Sequence, residues 1–111
     1  MATQTYLYLT TTDRITGKEE ETELRFVGYQ NAFYVLYSGD MDAWLLNMRE
    51  NPRVWYKLGS PDETPTEATA REVDIIANVE LAQAVQSRFD AQYQGVGNYG
   101  LMIEIQPVLM E

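Results

Sequence analysis

Short runs of apolar residues and one clear alternation predict six β-strands along the chain. Residues 22–27 alternate, with Leu24 and Phe26 on one side and Glu23 and Arg25 on the other, which is typical of a half-buried strand. The other runs are rich in aromatic and β-branched residues and are bounded by turn formers. We expect strands at residues 6–10, 22–27, 32–37, 54–58, 66–73 and 101–105.

Helical spacing of apolar residues predicts two helices. The first covers residues 42–50, begins at Asp40 or Asp42 and ends before Pro52, which cannot continue a helix. Its apolar face consists of Trp44, Leu45 and Met48. The second begins at Asp74 or Asn78 and lays one face on the sheet. That face consists of Val79, Ala82, Val85, Phe89 and Tyr93.

The order and length of these elements predict the fold class. Three strands, a helix, two strands, a helix and a last strand follow one another through short links, which favours a mostly antiparallel sheet curled into a barrel. A chain of 111 residues is a usual size for one domain. We therefore expect a single α+β domain over residues 1–111, a six-stranded, mostly antiparallel β-barrel with two helices.

The residue types that the chain lacks exclude several kinds of active site. It contains no Cys, which removes disulfides, thiolate zinc sites and cysteine nucleophiles. It contains no His, which removes the commonest general base and the commonest transition-metal ligand. We predict no metal site, and we expect that a cofactor supplies the reactive atom if the protein is an enzyme.

Charge and hydropathy narrow the expected partners and location. The chain contains eight basic and 17 acidic residues, which gives a formal net charge of −9. A surface this negative repels phosphate backbones, so we expect no nucleic-acid partner. No apolar run approaches the roughly 18 residues that span a bilayer, and no signal pattern opens the chain. We expect a cytoplasmic protein without a membrane span.

An acidic run, Glu19 to Glu21 with Glu23 close by, is the first candidate site. It could form a metal or acid–base cluster, but runs of like charge are more often solvated surface, and we favour the flank of a hairpin. Glu23 lies inside a strand pattern, and an inward carboxylate there would need Arg25 or Arg14 as a partner.

A second candidate site lies where the third strand meets the first helix. Ser38 and Gly39 stand between the strand end and the helix start, where free N–H groups attract anions. Trp44 could stack on a planar ligand, although a Trp on the apolar face of a helix is more often a core residue. The aromatic residues 34, 37, 55 and 56 are interpreted mainly as barrel packing.

Five segments, which fall in family order, carry a resemblance over nearly the whole chain. They are LTTTDRITGK (residues 9–18), ELRF (23–26), YVLYSG (34–39), AWLLNMRENPRV (43–54) and the Ile-rich strand before Pro107. With these segments the chain resembles the deazaflavin-dependent nitroreductase and quinone-reductase family, a branch of the FMN-binding split-barrel proteins. The Trp, Asn and Asn-Pro of the fourth segment are the most specific part.

The resemblance implies a fold, a six-stranded split β-barrel, and a function. Members use a reduced deazaflavin, sometimes FMN, to pass a hydride to quinones, nitro compounds or enones. They are usually homodimers with the cofactor in a groove near the subunit interface. The resemblance implies a phosphate contact for Arg14 and a ring site along Tyr37, Ser38 and Gly39. Trp44 and Asn47, on the first helix, complete the implied cofactor-binding set.

The first loop departs from the family pattern. Asp13-Arg14-Ile15 stands where members commonly carry Gly-Arg-Lys or Gly-Arg-Arg, and Glu20 falls near another usual basic position. The first loop therefore offers fewer cations to the charged tail of the deazaflavin. We predict that FMN or riboflavin binds at least as well as the deazaflavin. Two alternatives to a reductase remain open: a non-catalytic flavin-binding or carrier module, and a structural dimer without a ligand.

Overall fold

The computed structural model describes residues 6–37, 42–93 and 101–108. Within these residues, seven strands and two helices form an α+β fold. In chain order they are β1 (Tyr6–Thr12), β2 (Glu19–Arg25), β3 (Val27–Tyr29), β4 (Ala32–Tyr37), α1 (Ala43–Glu50), β5 (Arg53–Leu58), β6 (Thr66–Glu72), α2 (Val79–Gln92) and β7 (Leu101–Pro107). The predicted element types and their order are confirmed, but the predicted count of six strands is wrong.

The additional strand arises because the chain changes partner at Phe26. The segment predicted as one strand over residues 22–27 is divided: β2 pairs with β1, and β3 pairs with β4. Alternation reports which face a side chain occupies and carries no information about the neighbouring strand. The change of partner was therefore invisible in the sequence pattern.

All strand pairs are antiparallel, and they form one sheet in the order β2-β1-β5-β6-β7-β4-β3. The two strands at its ends, β2 and β3, are joined by Phe26 alone. The sheet must therefore curl until its ends meet, which makes it a half-barrel. Past Phe26 the two ends diverge, and a split opens between β2 and β4.

The hydroxyl of Tyr93 holds the point where the sheet ends meet. It accepts a hydrogen bond from the backbone N–H of Phe26 at 3.1 Å and donates one to the Phe26 carbonyl at 2.7 Å. Phe26 lies outside both flanking strands, so in the described part of the chain neither its N–H nor its carbonyl has a partner in a strand ladder. Because unpaired backbone groups are costly in a folded protein, this hydroxyl stabilises the break between β2 and β3.

A tight turn joins β3 to β4. Gln30 and Asn31 have φ angles of 49° and 68°, the left-handed pair that two-residue hairpins use. The turn consists of these two residues, because Gly28 and Tyr29 belong to β3.

Apolar side chains occupy both faces of the sheet, and one helix covers each set. The inner set fills the half-barrel and includes Leu9, Val35 and Ile103, with Trp44 and Leu45 of α1 packed among them. The outer set lies between the sheet and α2. Its central members are Tyr34, Leu36, Val85, Phe89 and Tyr93. The helix α1 thus lies against the inside of the sheet, close to the predicted site residues.

The helix ends agree closely with the sequence prediction. Asp42 and Asn78 occupy the N-cap positions, although neither side chain makes a capping hydrogen bond. Asp74 acts in the preceding turn, where its carboxylate accepts the N–H groups of Ile76 and Ala77. The predicted apolar stripe of α2 is buried at its C-terminal end, but Val79 is 50% exposed.

Candidate functional site

The loop between β1 and β2 presents Arg14 on a locally fixed backbone. The Asp13 Oδ1 accepts hydrogen bonds from the N–H groups of Ile15 and Thr16, both at 2.8 Å. These bonds, with that from Thr16 the stronger influence, lower the pKa of the Asp13 carboxyl because they favour its charged form. Gly17 has a φ of +77°, the left-handed conformation that glycine adopts without strain.

Asn47 is a buried amide that joins this loop to the first two strands. It is 0% exposed, and its Oδ1 accepts two hydrogen bonds of 3.1 Å from Arg14, one from the backbone N–H and one from Nη1. Its Nδ2 donates to Thr11 Oγ1 at 3.3 Å and to Glu20 Oε1 at 3.4 Å. One side chain of α1 therefore determines where the Arg14 guanidinium lies.

The Arg14 guanidinium retains most of its hydrogen-bonding capacity. One of its five N–H donors is bound to Asn47. In the described part of the chain no carboxylate forms an ion pair with it. Within the described residues, Arg14 therefore forms an ion pair neither with Asp13 nor with the acidic run. An exposed, oriented guanidinium with free donors is suited to a phosphate.

Tyr37 and Trp44 form one aromatic pair where β4 approaches α1. Their ring centroids are 5.1 Å apart with an interplanar angle of 74°, an edge-to-face contact. Trp44 is only 4% exposed and lies in the inner core, the position that the packing interpretation predicted. Tyr37 is half-buried. The other two predicted ring contacts, Ser38 and Gly39, lie outside the described residues.

A groove of about 230 Å³ occupies the split between β2 and β4. Residues 23–25 form one wall, residues 35–37 the other, and Phe89 of α2 contributes from behind. Residues 35–37 pair with β7, and within the described ranges no strand pairs with their opposite edge. The groove therefore combines open backbone edges with part of Tyr37, whose ring packs against Trp44.

The acidic run is confirmed as a solvated hairpin flank. Residues 19–21 are exposed, and Glu21 forms a 2.8 Å ion pair with Lys57. Glu23 is also exposed, so the inward carboxylate considered above, with an Arg partner, is wrong. It accepts a 3.0 Å hydrogen bond from the hydroxyl of Tyr8, which raises the pKa of that Tyr. Among the residues described, no three or more acidic side chains form a potential metal site.

The family model described as F420H(2)-dependent quinone reductase matches residues 1–105. The chain belongs to this family. The family assigns it to the flavin- or deazaflavin-dependent oxidoreductases, and it confirms the resemblance carried by the five segments. No helix in the described ranges is long and apolar enough to cross a membrane.

Several solved structures share this fold. An FAD-binding protein from Mesorhizobium loti superposes with a TM-score of 0.72 at 14% identity, covering 97% of this chain and 83% of its own. An F420-H2 dependent reductase superposes at 0.58 with 19% identity, covering 91% and 93%. A heme storage protein from Vibrio cholerae superposes at 0.58 with 20% identity, covering 96% and 83%. These identities show the fold alone. No curated protein matches the sequence.

Three residues of this region escaped the sequence prediction. Thr11 is 0% exposed and holds Asn47, and continuing the inward alternation of Leu7 and Leu9 past residue 10 would have found it. Arg25 lines the groove, and nothing in the sequence marks where the split opens. Tyr93 was recognised as a core residue, but no sequence pattern indicates the partner of its hydroxyl.

Proposed function

We propose that the chain is a quinone reductase of this family that binds the phosphate of a flavin-type cofactor with Arg14. The ring system then contacts Tyr37, which lines the split, and the Ser38 and Gly39 that follow it in the sequence. The cofactor, when bound, supplies the hydride for a small acceptor such as a quinone, a nitro compound or an enone. The protein provides binding, orientation and protection from water.

One observation carries this proposal: Arg14 is the exposed end of a buried, organised polar network. Fixing a long side chain costs conformational entropy, so an arginine that the protein already holds binds an anion at a lower cost. Here Asn47, fully buried, accepts both the backbone N–H and the Nη1 of Arg14. The network reduces the ordering cost of binding an anion, which supports a preorganised phosphate contact. Asn47 acts through Arg14 in this proposal rather than by touching the ligand.

The size of the split supports a homodimer. Its volume of about 230 Å³ is smaller than the roughly 300–1,000 Å³ of typical ligand pockets. A second subunit placed over the split would enlarge and enclose the site. The homodimer and the cytoplasmic location both stay predictions.

The neighbouring charges favour a cofactor with little negative charge. Glu19 and Glu20 are exposed near the Arg14 loop, whereas Glu21 is paired with Lys57. The proposal therefore keeps FMN or riboflavin as ligands that bind at least as well as the deazaflavin, whose tail adds several negative charges.

Fluorescence titration of FMN and the deazaflavin against three proteins tests the role of Arg14. The proteins are the wild type, Arg14→Ala and the control Lys18→Ala, which removes a cation from the same loop that makes no ion pair in the described residues. We expect Arg14→Ala to weaken binding by about tenfold or more, because a hydrogen bond to a charged group contributes about 1.5–3 kcal/mol. Lys18→Ala should have little effect. Equal effects of the two variants would contradict a specific contact.

A double-mutant cycle separates the role of Asn47 from a general structural role. Asn47→Ser shortens the side chain that accepts from Arg14. If Asn47 acts through Arg14, Asn47→Ser weakens binding in the wild type but adds little in the Arg14→Ala background. Additive losses would show that Asn47 contributes independently, which would contradict the proposed relay.

A further inference from the structure

Thr11 and Glu20 are direct cross-strand partners near the loop that joins β1 to β2. Thr11 continues the inward positions of Leu7 and Leu9, which belong to the inner core. Side chains directly opposite each other share one face of a sheet, so Glu20 lies on the face that α1 covers. Its neighbour Glu21 lies on the other face. One carboxylate of the acidic run is therefore placed beside α1.

Both residues accept a hydrogen bond from the amide of Asn47. Thr11 Oγ1 lies 3.3 Å from Asn47 Nδ2, and Glu20 Oε1 lies 3.4 Å from the same atom. At the other end of the amide, Oδ1 accepts two bonds of 3.1 Å from Arg14. The amide is thus held between two acceptors on one side and two donors on the other.

These partners give the amide a single favourable orientation. Its donor end and its acceptor end have nearly the same shape, so packing alone does not distinguish them. A hydroxyl can donate or accept and would tolerate either orientation, whereas a carboxylate can only accept. Glu20 therefore requires Nδ2 on its side, and Oδ1 faces the donors of Arg14. A reversed amide would place donors against donors at Arg14.

Stability of the core does not by itself require a polar pair at this position. Apart from aromatic residues, Thr11 and Asn47 are the buried polar side chains in the described part of the chain, and each is 0% exposed. Burying a hydroxyl or an amide is unfavourable unless it is hydrogen-bonded, and a bonded pair is about as stable as an apolar pair of the same shape. The effect that distinguishes the polar pair is at its outer end, where Asn47 holds Arg14.

We propose that Thr11 and Glu20 are positioning residues for the phosphate site, because they fix the Asn47 amide with its oxygen towards Arg14. This inference rests on the proposed function and extends it to two residues that do not touch the ligand. The Glu20 charge opposes an anion, but its oxygen supports the phosphate contact as a hydrogen-bond acceptor. Loss of either acceptor should therefore lower the affinity for FMN and not the affinity for riboflavin, which lacks the phosphate.

Titrations of FMN and riboflavin against Thr11→Val and Thr11→Ser test the role of Thr11. Val keeps the shape of the side chain and removes the acceptor, whereas Ser keeps the hydroxyl. We expect Thr11→Val to weaken FMN binding about threefold to tenfold, as for the loss of one neutral hydrogen bond, and Thr11→Ser to bind FMN nearly as well as the wild type. Riboflavin should bind all three proteins equally. Added to Arg14→Ala, Thr11→Val should cause no further loss.

A charge-matched pair of variants tests the role of Glu20. Both Glu20→Gln and Glu20→Ala remove the negative charge, but only Gln retains an oxygen that can accept from Asn47. We expect Glu20→Ala to bind FMN about threefold more weakly than Glu20→Gln. Thermal unfolding confirms that each variant is folded.

Three results would overturn the inference and leave the role of Arg14 intact. The first is a Thr11→Val variant that binds FMN as the wild type does, although Arg14→Ala weakens binding. The second is an equal loss of FMN and riboflavin affinity in Thr11→Val, which would make Thr11 a general structural residue. The third is equal FMN affinity of the two Glu20 variants.

Two further outcomes separate this inference from the proposed function. An Arg14→Ala variant with unchanged affinity would overturn both proposals. A wild type that binds the deazaflavin but neither flavin would retain the proposed function, and the same variants are then titrated with the deazaflavin. A loss in Thr11→Val that persists in the Arg14→Ala background would overturn the positioning role in that case.

Discussion

The hydroxyl of Tyr93 should contribute measurably to stability, because it satisfies both backbone groups at the break between β2 and β3. Tyr93→Phe keeps the aromatic ring, its packing against Phe89 and its contact with Arg25, and removes only the hydroxyl. The two bonds to Phe26, at 3.1 and 2.7 Å, are lost together with the 2.9 Å bond that the hydroxyl accepts from Gln92 Nε2, a side chain that water can reach instead. Among the described residues, neither the N–H nor the carbonyl of Phe26 has a backbone hydrogen-bond partner that could replace this hydroxyl.

The expected loss follows from the value of these two bonds. A typical intramolecular hydrogen bond contributes about 0.5–1.5 kcal/mol net, and a buried group left without a partner costs about 1–3 kcal/mol. Phe26 is half-buried, so water can partly replace the hydroxyl. We therefore expect Tyr93→Phe to lower the free energy of unfolding by about 2 kcal/mol. For a domain of this size the Tm should fall by roughly 8 °C.

Urea denaturation, followed by tryptophan fluorescence, measures this difference directly. Tyr29→Phe is the matched control, because Tyr29 also lies under an arginine, and among the described residues its hydroxyl makes no hydrogen bond. We expect Tyr29→Phe to change stability by less than about 0.5 kcal/mol. A Tyr93→Phe variant as stable as the Tyr29→Phe control would refute the argument that the hydroxyl holds the sheet ends together.

Three further predictions concern pH, salt and assembly. Burial of Tyr34, aided by its 2.7 Å hydrogen bond to Glu104, raises its pKa from 10.0 to about 12. The stability that the neutral Tyr34 hydroxyl contributes is therefore complete below pH 10 and is lost as the pH rises towards 12. In alkaline denaturation, the wild type should lose this stability and Tyr34→Phe should not. Salt should strengthen deazaflavin binding if the exposed acidic flank repels the tail, and titrations in which salt weakens binding would reject that repulsion. Sedimentation at micromolar concentration should show a homodimer, and a monomer would reject an interfacial site.

A strand could be predicted from the sequence where the burial of its two faces is enough to define it. In β4, Val35 faces the inner core and Tyr34 and Leu36 face α2, so the run is apolar on both sides and its bounds at residues 32–37 were predicted correctly. The break at Phe26 was not predictable, because its alternation with Leu24 continues while the partner strand changes.

The sequence could predict which residues belong to the candidate site, but not how they contact one another. Arg14 and Asn47 came from the family resemblance, but the buried contact between them is a product of the fold, since 33 residues separate them in the chain. Arg25 illustrates the opposite case. Its outward position on β2 was correctly predicted, yet only the sheet topology shows that this position borders the split.

The central claim is that this chain is a reductase that uses a flavin-type cofactor, and oxidation of that cofactor tests it most directly. Pre-reduced FMN or deazaflavin is mixed anaerobically with the protein and a soluble quinone, and the cofactor absorbance is followed with time. The account predicts protein-dependent oxidation of the cofactor with stoichiometric quinone reduction, and slower turnover by Arg14→Ala at low cofactor concentration. Binding of either cofactor without faster quinone reduction would contradict the claim, and would leave a flavin-binding module in its place.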